Sequence, residues 1–147
     1  MGMPSTRSTI VVDANLAVWA IVPVVAPVDA IDLFAGWHRQ GLRLVAPALW
    51  LAECASAVRR SVHAGALSDE EGRTALEDLF ALEVEILPLT LQQTRSALEW
   101  AERLRQAQAY DGFYLALAQE LGAELWTGDR RLAHGAQQVG VGWVHTV

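Results

Sequence analysis

The chain has 147 residues, 52% of them hydrophobic and 19% charged, which suits one domain with a buried core. It holds 11 arginines, no lysine and 17 acidic residues, for a formal net charge of −6. Without lysine, the phosphate-binding loop of P-loop ATPases and every Schiff-base mechanism are excluded, and each strongly basic group is a planar guanidinium suited to bidentate phosphate contacts.

Residues 1–8 lack an apolar run, so they do not read as a secretory signal; the expectation is a disordered tail before a single domain over 9–147. Residues 9–12 (TIVV) are short and β-branched and end at Asp13, as a buried strand does. A short helix is predicted over 14–21. A second follows over 28–40, with Ile31, Phe34, Ala35 and Trp37 turned inward and Gly41 at its end. Residues 42–46 read as a strand, and Pro47 as the first position of a helix reaching about His63, stopped by Gly65. Ser68 and Glu71 form a capping box for a helix to about Leu82; Thr90 and Gln93 form another for a helix to about Gln106, after a strand over 84–87. The remaining elements are a helix over 110–121 ended by Gly122, a strand over 124–126, a short helix over 129–134 and a strand over 141–144. Strands alternating with helices predict an α/β fold with a mostly parallel sheet, whose ligands sit beyond the carboxyl ends of the strands.

The single cysteine, Cys54, excludes a disulfide framework and a multi-cysteine zinc site, and fits a reducing, cytoplasmic setting. It reads as a small buried hydrophobe. The four histidines are scattered without metal-ligand spacing. The longest apolar stretch, residues 16–28, is broken by Pro23 and Pro27 and is too short to span a bilayer.

Most acids, such as Glu70, Glu71, Glu77, Asp78, Glu99 and Glu102, fall on polar helix faces. Four are placed differently. Asp13 and Asp129 directly follow strands, where each has an ordinary alternative as a helix N-cap. Glu53 lies on an apolar helix face with Leu49, Trp50 and Ala57; its alternative is a boundary residue reaching water. Asp111 opens YDGFYLALA on the side of Leu115, Ala118 and Gly122; its alternative is a first-turn acid favoured by the helix dipole. Asn15 and Thr127 flank these positions and can orient a water or a carboxylate, or serve in ordinary turns. Two carboxylates about 5 Å apart at an effective dielectric near 20 repel by roughly 3 kcal/mol. Four converging acids therefore need protons or a cation, and oxygen-only ligands select a hard one, Mg2+ or Mn2+.

IVVDAN, the helix carrying Glu53, and YDGFYLALAQELGAELWTGDRRL together resemble the PIN-domain nucleases, and among them the VapC-like toxins of toxin–antitoxin pairs. The resemblance runs from Ile10 to about Val144 and is most specific over 110–132. It implies a three-layer α/β/α sandwich, metal-dependent RNA cleavage by an activated water, homodimers and an antitoxin partner. Carried over by position, the family's acids fall on Asp13, Glu53, Asp111 and Asp129, and its supporting polar residues on Asn15 and Thr127. Gly112 stands where relatives often have alanine.

Arg60, seven residues past Glu53, together with Arg59, Arg130 and Arg131, is a candidate for phosphate contact, or else a solvated charge at a helix end. Two Mg2+ ions would change the net charge from −6 to about −2. The six tryptophans read mostly as core, with Trp19 and Trp37 as candidates for a dimer face or a groove for an antitoxin helix. A haloacid-dehalogenase-type phosphatase needs D-x-D and a downstream lysine, whereas here Asn15 stands at the second position and lysine is absent. The other alternative is a PIN scaffold that docks protein or RNA without turnover.

Overall fold

The computed structural model describes residues 8–147. The expected tail therefore lies outside the described residues apart from Ser8, whose carbonyl accepts a hydrogen bond from the Arg43 amide at 3.0 Å.

Five strands form one sheet in the order β3-β2-β1-β4-β5: β1 (Thr9–Val12), β2 (Arg43–Pro47), β3 (Glu85–Leu87), β4 (Glu124–Thr127) and β5 (Val144–Thr146). All four pairings are parallel. Among the described residues seven α-helices connect them: α1 (Ala14–Ile21), α2 (Ala30–Arg39), α3 (Leu49–His63), α4 (Asp69–Ala81), α5 (Leu91–Arg103), α6 (Tyr110–Leu121) and α7 (Arg130–Gln138). The chain builds outward from β1 to β3, then returns to the other side of β1 for β4 and β5. The right-handed rule for parallel crossovers assigns α1–α4 to one face and α5–α7 to the other, in keeping with α1 packing on α2, α3 and α4, and α5 on α6. The strand order reverses between β1 and β4, the switch point where such sheets open a crevice at their carboxyl ends.

The predicted elements correspond closely, with physical reasons where they shift. Pro47 ends β2 instead of starting a helix. It pairs with Leu87 beyond the last β1–β2 partner, Val45, so its missing N–H interrupts no β1 ladder. Helix α2 starts at Ala30, capped by the Asp29 side chain, and its inward stripe is Ala30, Phe34 and Trp37. Ile31, one position off that stripe, is 52% exposed rather than inward. Helix α5 stops at Arg103 because Arg105 adopts a left-handed conformation (φ 55°), with Gln106 N–H bonded to Ala101 O and Arg105 N–H to Glu102 O. Helix α7 runs through Gly135 to Gln138, since Leu132 and Ala136 continue its buried stripe. Val141 consequently closes α7 by bonding back to Ala136 O, and β5 begins three residues later than expected.

The buried cluster includes Val11, Val12, Leu16, Phe34, Val45, Trp50, Tyr114, Leu115, Leu117 and Leu125. Trp37 belongs to it, edge-on to Phe34 and Trp126 at 5.2 and 5.7 Å, which corrects its expected place on a partner face. Cys54 is buried as expected, and burial pushes its thiol up to about 12.

Helix α6 lies unusually close to α5 at Gly112. A Cβ there would stand 2.2 Å from the Ala97 carbonyl oxygen, which is backbone and cannot swing aside. Gly112→Ala is expected to cost about 1–3 kcal/mol by overpacking, lowering the melting temperature by roughly 3–10 °C. Thermal unfolding followed by circular dichroism checks this; an unchanged midpoint would contradict the α5–α6 packing.

Candidate active site

The strand ends supply the first two acids. Asp13 follows Val12 at the carboxyl end of β1, and its own amide donates to Trp126 O at 2.9 Å, continuing the β1–β4 ladder. Asp13 occupies the N-cap position of α1, yet its side chain caps nothing. Instead its Oδ2 accepts a hydrogen bond from the fully buried Thr127 hydroxyl at 2.8 Å. The same Thr127 oxygen accepts from the Asp129 amide at 2.9 Å and from Asn15 Nδ2 at 3.4 Å. Asn15 Oδ1 in turn accepts from the Gly128 amide at 2.8 Å. Asn15 and Thr127 thus tie the start of α1 to the turn after β4.

Asp129 performs the capping its position suggests, with Oδ1 accepting from the Arg131 and Leu132 amides at 2.9 and 3.3 Å. Its Oδ2 accepts no hydrogen bond among the described residues and can serve the cleft. Gly128 is required here by a close approach: a Cβ would sit 2.4 Å from ring carbons of Trp19.

The helices supply the other two. Glu53 on α3 is half-buried, and its Oε1 accepts a 2.6 Å hydrogen bond from Tyr114 Oη on α6. Asp111, in the first turn of α6, accepts at Oδ2 from Gln106 Nε2 at 3.0 Å. Asp13, Glu53, Asp111 and Asp129 line one cleft of about 380 Å³, with Asn15, Trp19 and Arg60. Trp19, half-buried, therefore faces this cleft. Arg130 and Arg131 are exposed on the first turn of α7 and do not line it, and Arg59 is exposed on α3.

Proximity and burial show in the electrostatics. Loss of hydration pushes the Asp13 carboxyl up to about 7, against the Thr127 hydrogen bond, with Asp111 and Glu53 adding repulsion. Burial likewise raises Glu53, opposed by Tyr114 and reinforced by Asp111. It raises Asp111, opposed by Gln106 and reinforced by Asp129. Among the described residues no three His, Cys, Asp or Glu side chains are grouped as a formed ion cage. The described residues lining the cleft include four carboxylates and no imidazole or thiolate, a donor set that would suit a hard cation.

Tyr114 and Gln106 carry no sequence signal of these roles. Tyr114 sits three residues after Asp111, one turn along α6, and passes for a core aromatic because its ring is one. Gln106 reaches Asp111 only because α5 ends on a left-handed arginine, where no glycine signals the stop.

Burial of Asp13 has a definite sign for stability. Its ordinary value is 3.8 and its folded value about 7, so between these the folded chain holds a proton the unfolded chain releases. Stability therefore falls as pH rises through that window, and the full loss applies above it. Asp13→Asn removes the loss. Measured in EDTA, its gain in melting temperature over wild type is expected to be roughly 5–10 °C larger at pH 8 than at pH 5. An equal gain at both values would contradict the burial of a titrating carboxyl.

Comparison with known proteins bears on the fold and the family. Ribonuclease VapC1 of Mycobacterium tuberculosis is 38% identical over 89 residues, which cover 60% of this chain and 64% of that relative. The solved VapBC2 of Rickettsia felis, bound to a DNA fragment from their promoter, has a TM-score of 0.68 at 17% identity, covering 95% of this chain and 98% of that one. Mycobacterium tuberculosis VapC20, a Sarcin-Ricin loop cleaving toxin, has a TM-score of 0.63 at 18% identity, covering 92% and 98%. These structures share the fold. The PIN domain family model matches residues 10–137, through both strand-end acids and both helix acids, and the chain belongs to the PIN domain family.

Proposed function

We propose that the chain is a divalent-metal-dependent ribonuclease of the VapC type, the toxin of a toxin–antitoxin pair. The observation that carries this reading is a single cleft lined by four carboxylates from α3, α6 and the ends of β1 and β4. Asp13, Asp111 and Asp129 would hold one or two Mg2+ or Mn2+ ions, with Glu53 as a further ligand or a water-orienting group. Such an ion, when bound, polarises a phosphodiester and lowers the pKa of water.

The chain's own residues do the rest. Among the described residues the cleft lining offers no hydroxyl, thiol, amine or imidazole, and its carboxylates are the groups assigned to the ion, which supports water as the nucleophile. Thr127 fixes the Asp13 carboxylate, Gln106 fixes Asp111, and Tyr114 fixes Glu53. Arg60 offers a guanidinium to a phosphate entering the cleft. An antitoxin partner is supported by a structural neighbour that is a toxin–antitoxin complex from Klebsiella pneumoniae. A homodimer and a cytoplasmic setting complete the proposal. Among the described residues no helix is long and apolar enough to cross a membrane.

Purified wild-type and Asp111→Asn proteins, incubated with a mixed single-stranded RNA pool, test the reading. Cleavage is expected with Mg2+ or Mn2+, none with EDTA, and a loss of roughly 100-fold in the variant. Cleavage surviving in EDTA or in the variant would overturn the mechanism, and RNA binding without turnover would favour a docking scaffold. Tyr114→Phe, which keeps the buried ring but removes the donor to Glu53, is expected to lower kcat by roughly 10-fold or more with little change in melting temperature.

A further inference from the structure

The carboxylate cleft does not end at Asp111. On the other side of Glu53 and Asp111 a second cleft of about 450 Å³ opens, lined also by Gln106, Ala107, Gln108 and Tyr110. The two clefts share Glu53 and Asp111 and differ in everything else. The first contains Arg60. Among the described residues the second has no cation in its lining, and its charged groups are the two shared carboxylates, so it offers a phosphate no guanidinium. What it offers is neutral. Tyr110, the first residue of α6, is 58% exposed, so its ring is accessible from the cleft. Gln108 is exposed, with an amide that both donates and accepts. The volume falls within the roughly 300–1,000 Å³ of small-ligand pockets.

The loop that builds this cleft is set by local backbone chemistry. The left-handed Arg105 turns the chain out of α5, and the Gln106–Asp111 hydrogen bond closes residues 106–111 into a short bridge. That bridge brings Tyr110 to the cleft directly before the first carboxylate of α6.

We infer that the cleft beside Tyr110 is a nucleobase subsite, in which an unpaired base stacks on the Tyr110 ring and meets the Gln108 amide with its edge. This deepens the ribonuclease reading and rests on it. It assigns the two halves of the groove different tasks, with phosphate toward Arg60, a base toward Tyr110, and the carboxylates between. Stacking on an exposed ring, rather than a basic track, is the contact by which single-stranded nucleic acid is held without strong charge.

The test uses Asp13→Asn protein with Mn2+ and a fluorescently labelled single-stranded RNA hexamer, followed by anisotropy over a salt series. Adding Tyr110→Ala is expected to weaken binding about tenfold without changing the salt slope, while Tyr110→Phe restores it. Adding Arg60→Gln is expected to lower the salt slope by about one phosphate contact. In the cleavage-competent background, Tyr110→Ala is expected to alter base preference beside the cut. With Tyr110→Ala, unchanged affinity or a changed salt slope would overturn the subsite, as would no binding of the hexamer. Tyr110-dependent binding in a wild-type protein that cleaves no RNA would uphold the subsite and remove the nuclease reading, so the two failures are separable.

Discussion

The carboxyl group of Asp13 is buried at the mouth of the central strand, and much of the surrounding structure answers to that fact. A desolvated carboxyl without partners is costly, and here its partner comes from the neighbouring strand. Thr127 can reach Asp13 only if β1 and β4 keep the register that pairs Val12 with Trp126. With its O–H donated to Asp13, the Thr127 oxygen is left to accept, and it takes the Asp129 amide. One hydroxyl therefore fixes strand register, the direction of the turn after β4 and the position of a second acid. Asn15 then binds the same turn through Gly128, so two elements separated by more than a hundred residues behave as one rigid edge.

Helix α6 joins the second pair of acids to this edge. Its buried residues, from Gly112 to Ala118, pack against the sheet and against α5, and the missing side chain at Gly112 lets α5 approach its backbone. That approach places the α5 C-terminus, and hence Gln106, within reach of Asp111. One turn later Tyr114 crosses to α3 and holds Glu53. Each acid thus has its own donor from a different element: Thr127 for Asp13, Gln106 for Asp111, Tyr114 for Glu53 and the α7 amides for Asp129. Neutral donors favour the ionised forms while burial and repulsion oppose them, and the upward shifts at Asp13, Glu53 and Asp111 show that burial prevails.

The sequence made the fold legible where local chemistry and tertiary packing agree. Capping boxes at Ser68 and Thr90, the buried run of β1 and the glycine after α6 all stand where the pattern puts them. Misplacements arise where long-range pairing decides. Pro47 looks like a helix start because its role as the last residue of β2 depends on β3, and the end of α5 on Arg105 has no glycine to announce it. The four acids were legible because each interrupts an apolar pattern or follows a strand. Their donors were not, since a buried tyrosine and a loop glutamine have ordinary explanations until the chain is folded. The arginines show the same limit: Arg60 lines the cleft while Arg130 and Arg131 do not, although all three lie close in sequence to an acid.

The net charge of −6 constrains how such a molecule could hold a polyanion. Among the described residues that line the carboxylate cleft, Arg60 is the one cation. Counterion release by one guanidinium, with or without divalent ions at the acids, gives little sequence-independent affinity. On the proposed reading, binding must then come from short-range contacts that need an accessible base face and edge. Duplex RNA hides its faces in the stack, whereas a loop or single strand presents them. An acidic nuclease of this design would thus owe its discrimination to the same feature that limits its affinity: without a basic track to hold RNA in general, only a segment whose unstacked base and phosphate meet the two halves of the groove together stays long enough to be cut.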